Sequence, residues 1–585
     1  MNSQGTVSSF MYPASSFIFV GFFAALSFLA GFAILSRVAA GHPEYKQLLA
    51  LPVGAGIVIC LLFLLTATGA LATLPLLLTA AGLVVISWIA CRGRLYAIFA
   101  DVGRFDKASL TLLTGLLAYA AYAALGVPLE WDELSYHLPY ARDYAESGGL
   151  VISEYLRFPL QTHNVHLLYA AALIFSDETA THLLHGLSAV MVAIGMVAWC
   201  RENLTRGAGM VSAALYVGLT ATYYDTAYVD LALCFFVFYA FFALSAWQKT
   251  GQPGFLLVSA FLLAIAAGTK YQGLGQLVVF FFALLVITRS PRLFARVALV
   301  LLLFGTWWYV RNFLVSGDPL HPMGAPLFGF WLWNEADLAG QLGNVSKYRD
   351  HLPWVLVPAL ASVTLVNSMG ARYRSLVIVG LGGLIIWYLT SRYERYLLPT
   401  LPFLAILSVH SCWHFIRKWA PGFRLAERSR VRLILALLAV ISGVVLADVA
   451  GKWAETCFTR SCIDRVYARE LATAQVARTV PGFKRLSLYQ AGLENELYLL
   501  GKPVFGDWFG PYRYRDLVAL GGEGEATANH LERLGADSLI VSKTRPEFHE
   551  YLANSQLTPA LIQVYEDEAV ILYLVPGAQS RQGKN

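Results

Sequence analysis

"ASLTLLTGLLAYAAYAALGVPLEWDELSYHLPYARDY" runs from Ala108 to Tyr144. Its first half, to Gly126, is apolar and of the length needed to cross a bilayer. Its second half packs Glu130, Asp132 and Glu133 into four residues beside Trp131, Tyr136, His137, Tyr140 and Tyr144. A span that opens directly into carboxylates and aromatics places polar chemistry at the lip of the membrane. Adjacent residues on a strand or extended loop point to opposite sides, so Asp132 and Glu133 are expected to do different jobs, one facing a cavity and the other fixing the loop. The alternative is a solvated acidic loop, against which stand the aromatics, suited to an interface or to a sugar ring.

The rest of the chain supports the membrane reading. Of 585 residues, 57% are hydrophobic and 14% charged, where a soluble protein carries about 25% charged residues. Mean hydropathy is +0.58. The net charge of +6 gives no support for a nucleic-acid partner, because in membrane proteins the placement of Lys and Arg carries the information. The first apolar run lacks a basic leader and is long enough to span, so no cleavable signal peptide is expected. About fourteen segments read as transmembrane helices: 16–36, 48–69, 71–90, 108–126, 179–200, 207–223, 228–247, 254–270, 273–288, 293–313, 353–367, 374–390, 396–416 and 431–450. The shorter run 165–175 reads as a re-entrant or interfacial helix.

Basic residues set the orientation. With the N-terminus outside, every inside loop is basic, including Arg201 with Arg206, Arg372 with Arg374, and Arg417 with Lys418. The acidic stretch and everything after about residue 451 then face out. Residues 1–106 are expected to be scaffold helices, 107–450 the polar core with an outer loop at 127–178, and 451–585 a small extracytoplasmic α/β domain. "RLSLY", "SLIVSK" and "AVILYLV" read as its strands, "TANHLERLG" as a helix, and "GAQSRQGKN" as a disordered tail. Cys457 and Cys462 fall outside, where a disulfide is compatible with the compartment.

Lys270, Arg311, Arg392 and Arg395 break the positive-inside pattern by lying at outer helix ends. Such cations need partners: lipid headgroups, carboxylates, or an anionic ligand such as a phosphate, which Arg recognises with two parallel hydrogen bonds. Asp225 and Asp230 precede an apolar run at the same face. Asp230 is either a helix cap or, as an ionisable group just inside the bilayer rim, a functional residue. It can meet Asp132 around a divalent cation, Mg or Mn, or around an acceptor hydroxyl. The expected geometry is one outer-face cavity with carboxylates on one side and cations on the other.

This pattern resembles the GT-C superfamily of glycosyltransferases that use lipid-phosphate sugars, among them the protein O-mannosyltransferase, lipid A aminoarabinose transferase and lipopolysaccharide-core transferase types. The "DE..Y" of Asp132, Glu133 and Tyr136 looks like their first-loop motif, and Phe158–Pro159 with the run to Tyr169 like the segment leading to an interfacial helix. Asp230, Lys270 in "TK", Arg311 to Pro319 in "RN…GDP", and "RYLLPTLPFLAI" from Arg395 also resemble family signatures.

The resemblance implies a GT-C-like bundle of about fourteen helices in the bacterial inner membrane and an inverting transfer from a polyprenyl-phosphate-linked sugar to a glycan, lipid or protein acceptor. Asp132, Glu133 and Asp230 would be catalytic, with Asp132 as base or metal ligand. Lys270, Arg311, Arg392 and Arg395 would bind the donor phosphate. Tyr136, His137, His163 and Asp225 would line the substrate site. The family is mixed in its use of a metal. Three departures stand out: "LRFPLQTH", with Arg157, replaces the "EKPPL" of the aminoarabinose transferases; the span that opens into the first-loop motif follows three others, where in the simplest layout it is the first; and "GDWFGPY" in the C-terminal domain, with Asp507 and Trp508, does not match the WWD-type motif of oligosaccharyltransferases. The rival readings are a transporter or flippase of an anionic glycolipid, and a non-catalytic envelope-assembly subunit.

Overall fold

The computed structural model describes residues 12–39, 42–91, 107–419, 443, 447, 450–451, 456–501, 503–553, 556–558 and 560–576. The expected span 431–450, apart from 443, 447 and 450, and the expected tail 577–585 lie outside these. The protein is mostly helical, with apolar spans and a small C-terminal mixed β-sheet domain. Its first helices are α1 (Ala14–Val38), α2 (Pro43–Ala67), α3 (Thr73–Cys91) and α4 (Lys107–Ala123). The acidic loop leads into α5 (Leu138–Ser147) and the short α6 (Asn164–Phe175). Then come α7 (Glu178–Asn203), α8 (Arg206–Thr220), α9 (Asp230–Thr250), α10 (Pro253–Ala267) and α11 (Gln272–Ile287). They are followed by α12 (Pro291–Gly305), α13 (Trp307–Ser316), α14 (Glu335–Lys347), α15 (Ala371–Thr390) and α16 (Leu401–Trp419). Among the described residues, six helices are long and apolar enough to cross a membrane, or seven if α12 and α13, bent by 57°, form one broken span.

The core is organised around α9. Its sequence is apolar on every side, which only a fully enclosed helix tolerates in a compact bundle, and α2, α7, α10 and α15 pack around it. Asp230 is its first residue. Beside it α1 and α2 approach through small residues: a Cβ on Gly31 would lie 1.8 Å from the Ala50 carbonyl oxygen, and one on Gly54 1.6 Å from that of Ser27. Close backbone contact of this kind is how helices associate where lipid is as apolar as leucine. The exposed Leu, Ile, Phe and Trp side chains of α3 and α11–α13 face outward, as expected of surfaces against hydrocarbon.

The C-terminal domain holds a five-stranded sheet in the order β2-β1-β3-β5-β4, formed by β1 (Leu488–Ala491), β2 (Val504–Phe505), β3 (Ser538–Ser542), β4 (Ile562–Glu566) and β5 (Val570–Leu574). β1 pairs in parallel with β2 and β3, while β5 runs antiparallel to β3 and β4. The three expected strands are β1, β3 and β5, and the expected helix is Gly524–Leu534. β2 and β4 were not anticipated: one has two residues, and the other is an exposed edge without alternating burial. Cys457 and Cys462 form a disulfide where the chain enters this domain.

Candidate active site

The acidic stretch is helical, not extended: a π-helical turn spans Glu133–His137 between Asp132 and α5. One extra residue per turn rotates successive side chains, and such turns recur at functional sites. Asp132 and Glu133 still diverge, now around a helix. Asp132 hydrogen-bonds the Arg395 guanidinium and the Tyr136 hydroxyl. Glu133 points into the bundle, where its Oε1 accepts from Ala227 N–H at 2.7 Å and lies 2.5 Å from His182 Nε2, both side chains fully buried. Glu133 is therefore placed with His182, away from the cations, and does not share a site with Asp132.

Around Asp132 four charges interlock. Lys270 Nζ donates to both carboxylate oxygens of Asp230, at 2.9 and 3.1 Å. Arg395 bridges the two acids, its Nε 3.7 Å from Asp230 Oδ2. Tyr228 lies under the guanidinium, 4.2 Å from ring centre to carbon, and Tyr396 faces the Lys270 ammonium at 4.9 Å. Tyr228 in turn donates to Glu130 at 3.0 Å. Asp230 and Arg395 are 2% and 4% exposed, but Asp132 keeps 17% and Lys270 14%, so the accessible edge of the cluster is an acid and a cation side by side. Burial works to raise the Asp132 carboxyl; Arg395, the Tyr136 hydroxyl and Lys270 overcome it and hold the group below the ordinary carboxylate range.

The chain turns tightly to present Lys270. A Cβ on Gly268 would meet the Asn164 side chain at 2.3 Å, and Asn164 ties this turn to Trp308, accepting its indole N–H at 2.7 Å. Arg395 stands in a 3₁₀ turn just before α16. Asp230, at the start of α9, makes no capping hydrogen bond; its carboxylate belongs to the cations.

Other expected residues lie elsewhere. Arg311 hydrogen-bonds the Asn312 side chain, the Gln161 carbonyl at 2.6 Å and the Tyr144 hydroxyl at 3.3 Å, anchoring the segment that leads into α6. Arg392 turns to the Tyr388 ring, 5.0 Å away, outside the four-charge cluster. His137 sits 2.8 Å from His166 Nε2 and His163 2.6 Å from the Tyr144 hydroxyl. Burial and the cations nearby push both imidazoles well down, so they are neutral. Asp225 stands beside Gly126 and acts on Glu133 and His182. In this structure Asp132 and Asp230 each face a side-chain cation, and among the described residues no three His, Cys, Asp or Glu converge on one point.

Arg157 and Asp507 are joined across domains. Arg157 donates to Asp507 at 2.8 and 2.9 Å, with its guanidinium against Trp131 and Phe509. The atypical "LRFPLQTH" and the C-terminal "GDWFGPY" are thus two halves of one contact. Arg513 on Asp337 and Arg460 on Glu178 add further ion pairs.

A family model described as SF2091/S2213 matches residues 465–574. The chain is 30% identical over 135 residues to the uncharacterized protein SF2092/S2214 of Shigella flexneri, covering 21% of this chain and 72% of that one. It is 32% identical over 125 residues to SF2093/S2215 of the same organism, covering 20% of this chain and 59% of that relative. In fold it is similar to the crystal structure of ArnT from Cupriavidus metallidurans bound to undecaprenyl phosphate, with a TM-score of 0.51 and 13% identity over 81% of this chain and 99% of that one.

Proposed function

We propose, from the premise that this chain belongs to the family of the Shigella flexneri uncharacterized protein SF2092/S2214, that it is an inverting glycosyltransferase. It moves a sugar from a polyprenyl-phosphate donor to an envelope glycan, lipid or protein at the outer face of the bacterial inner membrane. About fourteen crossings, some by helices shorter than a full span, would put the N-terminus and the sheet domain outside. The observation that carries this reading is the interlocked Asp132–Arg395–Asp230–Lys270 cluster, on a fold similar to a protein solved with undecaprenyl phosphate.

The chemistry follows from exchange of partners. A donor phosphate entering at the exposed edge competes with the carboxylates for Lys270 and Arg395. As Arg395 turns to the phosphate, Asp132 loses the cation that lowers its proton affinity and becomes a stronger base. It takes the proton of the acceptor hydroxyl as that oxygen bonds to the anomeric carbon. The bond from this carbon to the phosphate oxygen breaks, and its electron pair leaves with the lipid phosphate. Lys270 and Arg395 stabilise that charge, and fixed cations aimed at developing charge are usually a large catalytic contribution. A positioned base adds about 10²–10⁴-fold. No step is assigned to a metal; transfer by purified protein in excess chelator tests this.

The test is mass spectrometry of envelope glycans and lipids from cells lacking the chain, complemented with the native protein or with Asp132→Asn. One sugar mass should vanish and return only with the native protein; equal rescue by Asp132→Asn sinks the assignment of the base. A transporter of an anionic glycolipid is the second reading, and the 57° break between α12 and α13 favours it, since broken helices line transport sites. It predicts substrate movement in vesicles without any change in glycan mass.

A further inference from the structure

His185 is buried on α7, three residues after His182 and on the same helix face. His182 takes Glu133; His185 takes the stretch 223–231 that delivers Asp230. Its Nδ1 lies 2.9 Å from the Tyr223 carbonyl oxygen, and its Nε2 lies 3.0 Å from the Leu231 amide nitrogen. A carbonyl can only accept and an amide N–H can only donate. The imidazole is therefore neutral, with Nδ1–H donating to Tyr223 and Nε2 accepting from Leu231. The Thr226 hydroxyl donates to the same Tyr223 carbonyl at 3.1 Å and closes the turn between.

The Leu231 N–H is one of the donors left over at the start of α9. Ser, Thr, Asp or Asn at the N-cap usually accepts such a group, but the N-cap here is Val229, whose side chain has no acceptor. Within the helix the natural substitute is Asp230, since a carboxylate in the first turn is drawn to the positive end. That carboxylate instead takes Lys270, at 2.9 and 3.1 Å, and lies 3.7 Å from Arg395. Two demands on one side chain would compete, and an acceptor from α7 removes the first. The same clasp holds both ends of the segment whose middle gives the Ala227 N–H to Glu133 and sets the Tyr228 ring under Arg395.

We infer that His185 is a positioning residue: by capping α9 from a neighbouring helix it leaves Asp230 to Lys270 and Arg395 and so holds the four-charge cluster together. The inference rests on the reading of that cluster as the transfer site. Neither of the two backbone hydrogen bonds of the imidazole reaches a cation, so His185 acts through Asp230.

The full chain, purified in detergent, is labelled briefly by reductive methylation, and modification of Lys270 is measured by peptide mass spectrometry relative to the exposed Lys484. An ammonium that loses its carboxylate holds its proton less tightly and reacts faster. His185→Leu should raise Lys270 labelling about fivefold, the equilibrium weight of one helix cap, towards the level of Asp230→Asn. His185→Gln should label as the native chain does, because its Oε1 can stand where Nε2 stood. Where His185→Leu does not fold, His185→Asn replaces it: the shorter side chain reaches only the Nδ1 position and should also raise labelling. Native labelling in a folded His185→Leu or His185→Asn overturns the inference. Raised labelling in His185→Gln overturns it too, and would make the ring mere packing. In transfer, His185→Leu should lower kcat/KM about fivefold, and His185→Leu/Asp230→Asn should lose no more than Asp230→Asn alone; additive losses overturn the route through Asp230. Labelling needs no sugar donor, so a native chain that transfers nothing would sink the proposed function and leave this test intact.

Discussion

Asp132→Asn and Glu133→Ala should separate cleanly, although the residues are neighbours. Asp132→Asn keeps the size of a partly exposed side chain and leaves Arg395 its second carboxylate, Asp230. It should lower the thermal midpoint less than Glu133→Ala does and lower transfer by about 10²–10⁴-fold. Glu133→Ala strands His182 in a buried pocket; breaking one half of a buried pair costs about 3–5 kcal/mol, seen as a lower thermal midpoint in detergent whatever the assay. Acid titration offers a second check. The Asp132 carboxyl is lowered in the folded protein, so its contribution to stability is full above the unfolded value of about 3.9 and disappears as pH falls through the lower folded value. The free-enzyme profile of kcat/KM should then carry no limb from Asp132 between pH 5 and pH 8, where a general base of ordinary affinity would also be silent but a histidine base would not. A limb near neutrality in the native chain that vanishes in His137→Gln would move the base to His137. The sequence marked Asp132, Asp230, Lys270 and Arg395 because each is a charge at a membrane rim. Glu133, Arg311 and Arg392 carry the same mark. What separates them is a partner with no sequence signal: His182, 49 residues from Glu133, the Gln161 backbone carbonyl, or the Tyr388 ring.

Among the elements, the π-helical turn at Glu133–His137 sets the angle between Asp132 and α5. Deleting Leu134 should restore α-helical hydrogen bonding and turn Asp132 by about 100° relative to α5. Transfer should fall as in Asp132→Asn, while α5 and α6 keep their protection in hydrogen exchange; full activity in the deletion variant would show that the turn does not aim the carboxylate. The turn left no trace in the sequence because Leu-Ser-Tyr-His is compatible with loop, α or π geometry. The long apolar α9 was legible for the opposite reason: nothing but burial accommodates a helix of such composition. Strands β1, β3 and β5 were also readable from their apolar runs, whereas the edge strand β4 has no buried face to pattern.

For the whole molecule, the sheet domain is held to the loop that carries Asp132 through Arg157, flanked by Trp131 and Phe509. Arg157→Ala leaves Asp507 buried without its cation. Burial already raises that carboxyl against the pull of Arg157, so the variant should loosen the domain and increase proteolysis within 456–576, with transfer reduced in parallel. Unchanged proteolysis with normal transfer would make the contact incidental. Orientation has its own test: Lys484→Cys should react with a membrane-impermeant maleimide on intact spheroplasts, and Arg289→Cys only after lysis. The reverse pattern would place the cluster and the sheet domain inside.

The four interlocked side chains sum to zero formal charge. In the proposed reaction a phosphodiester donor would add one negative charge to that balance, and transfer would deliver one proton to Asp132 while the departing lipid monophosphate gains the capacity for a second negative charge. The site after turnover can recover neutrality by sending the proton out on the phosphate itself. Product departure and the resetting of Asp132 would then be one event, and its rate would show a solvent deuterium isotope effect that the binding of donor does not.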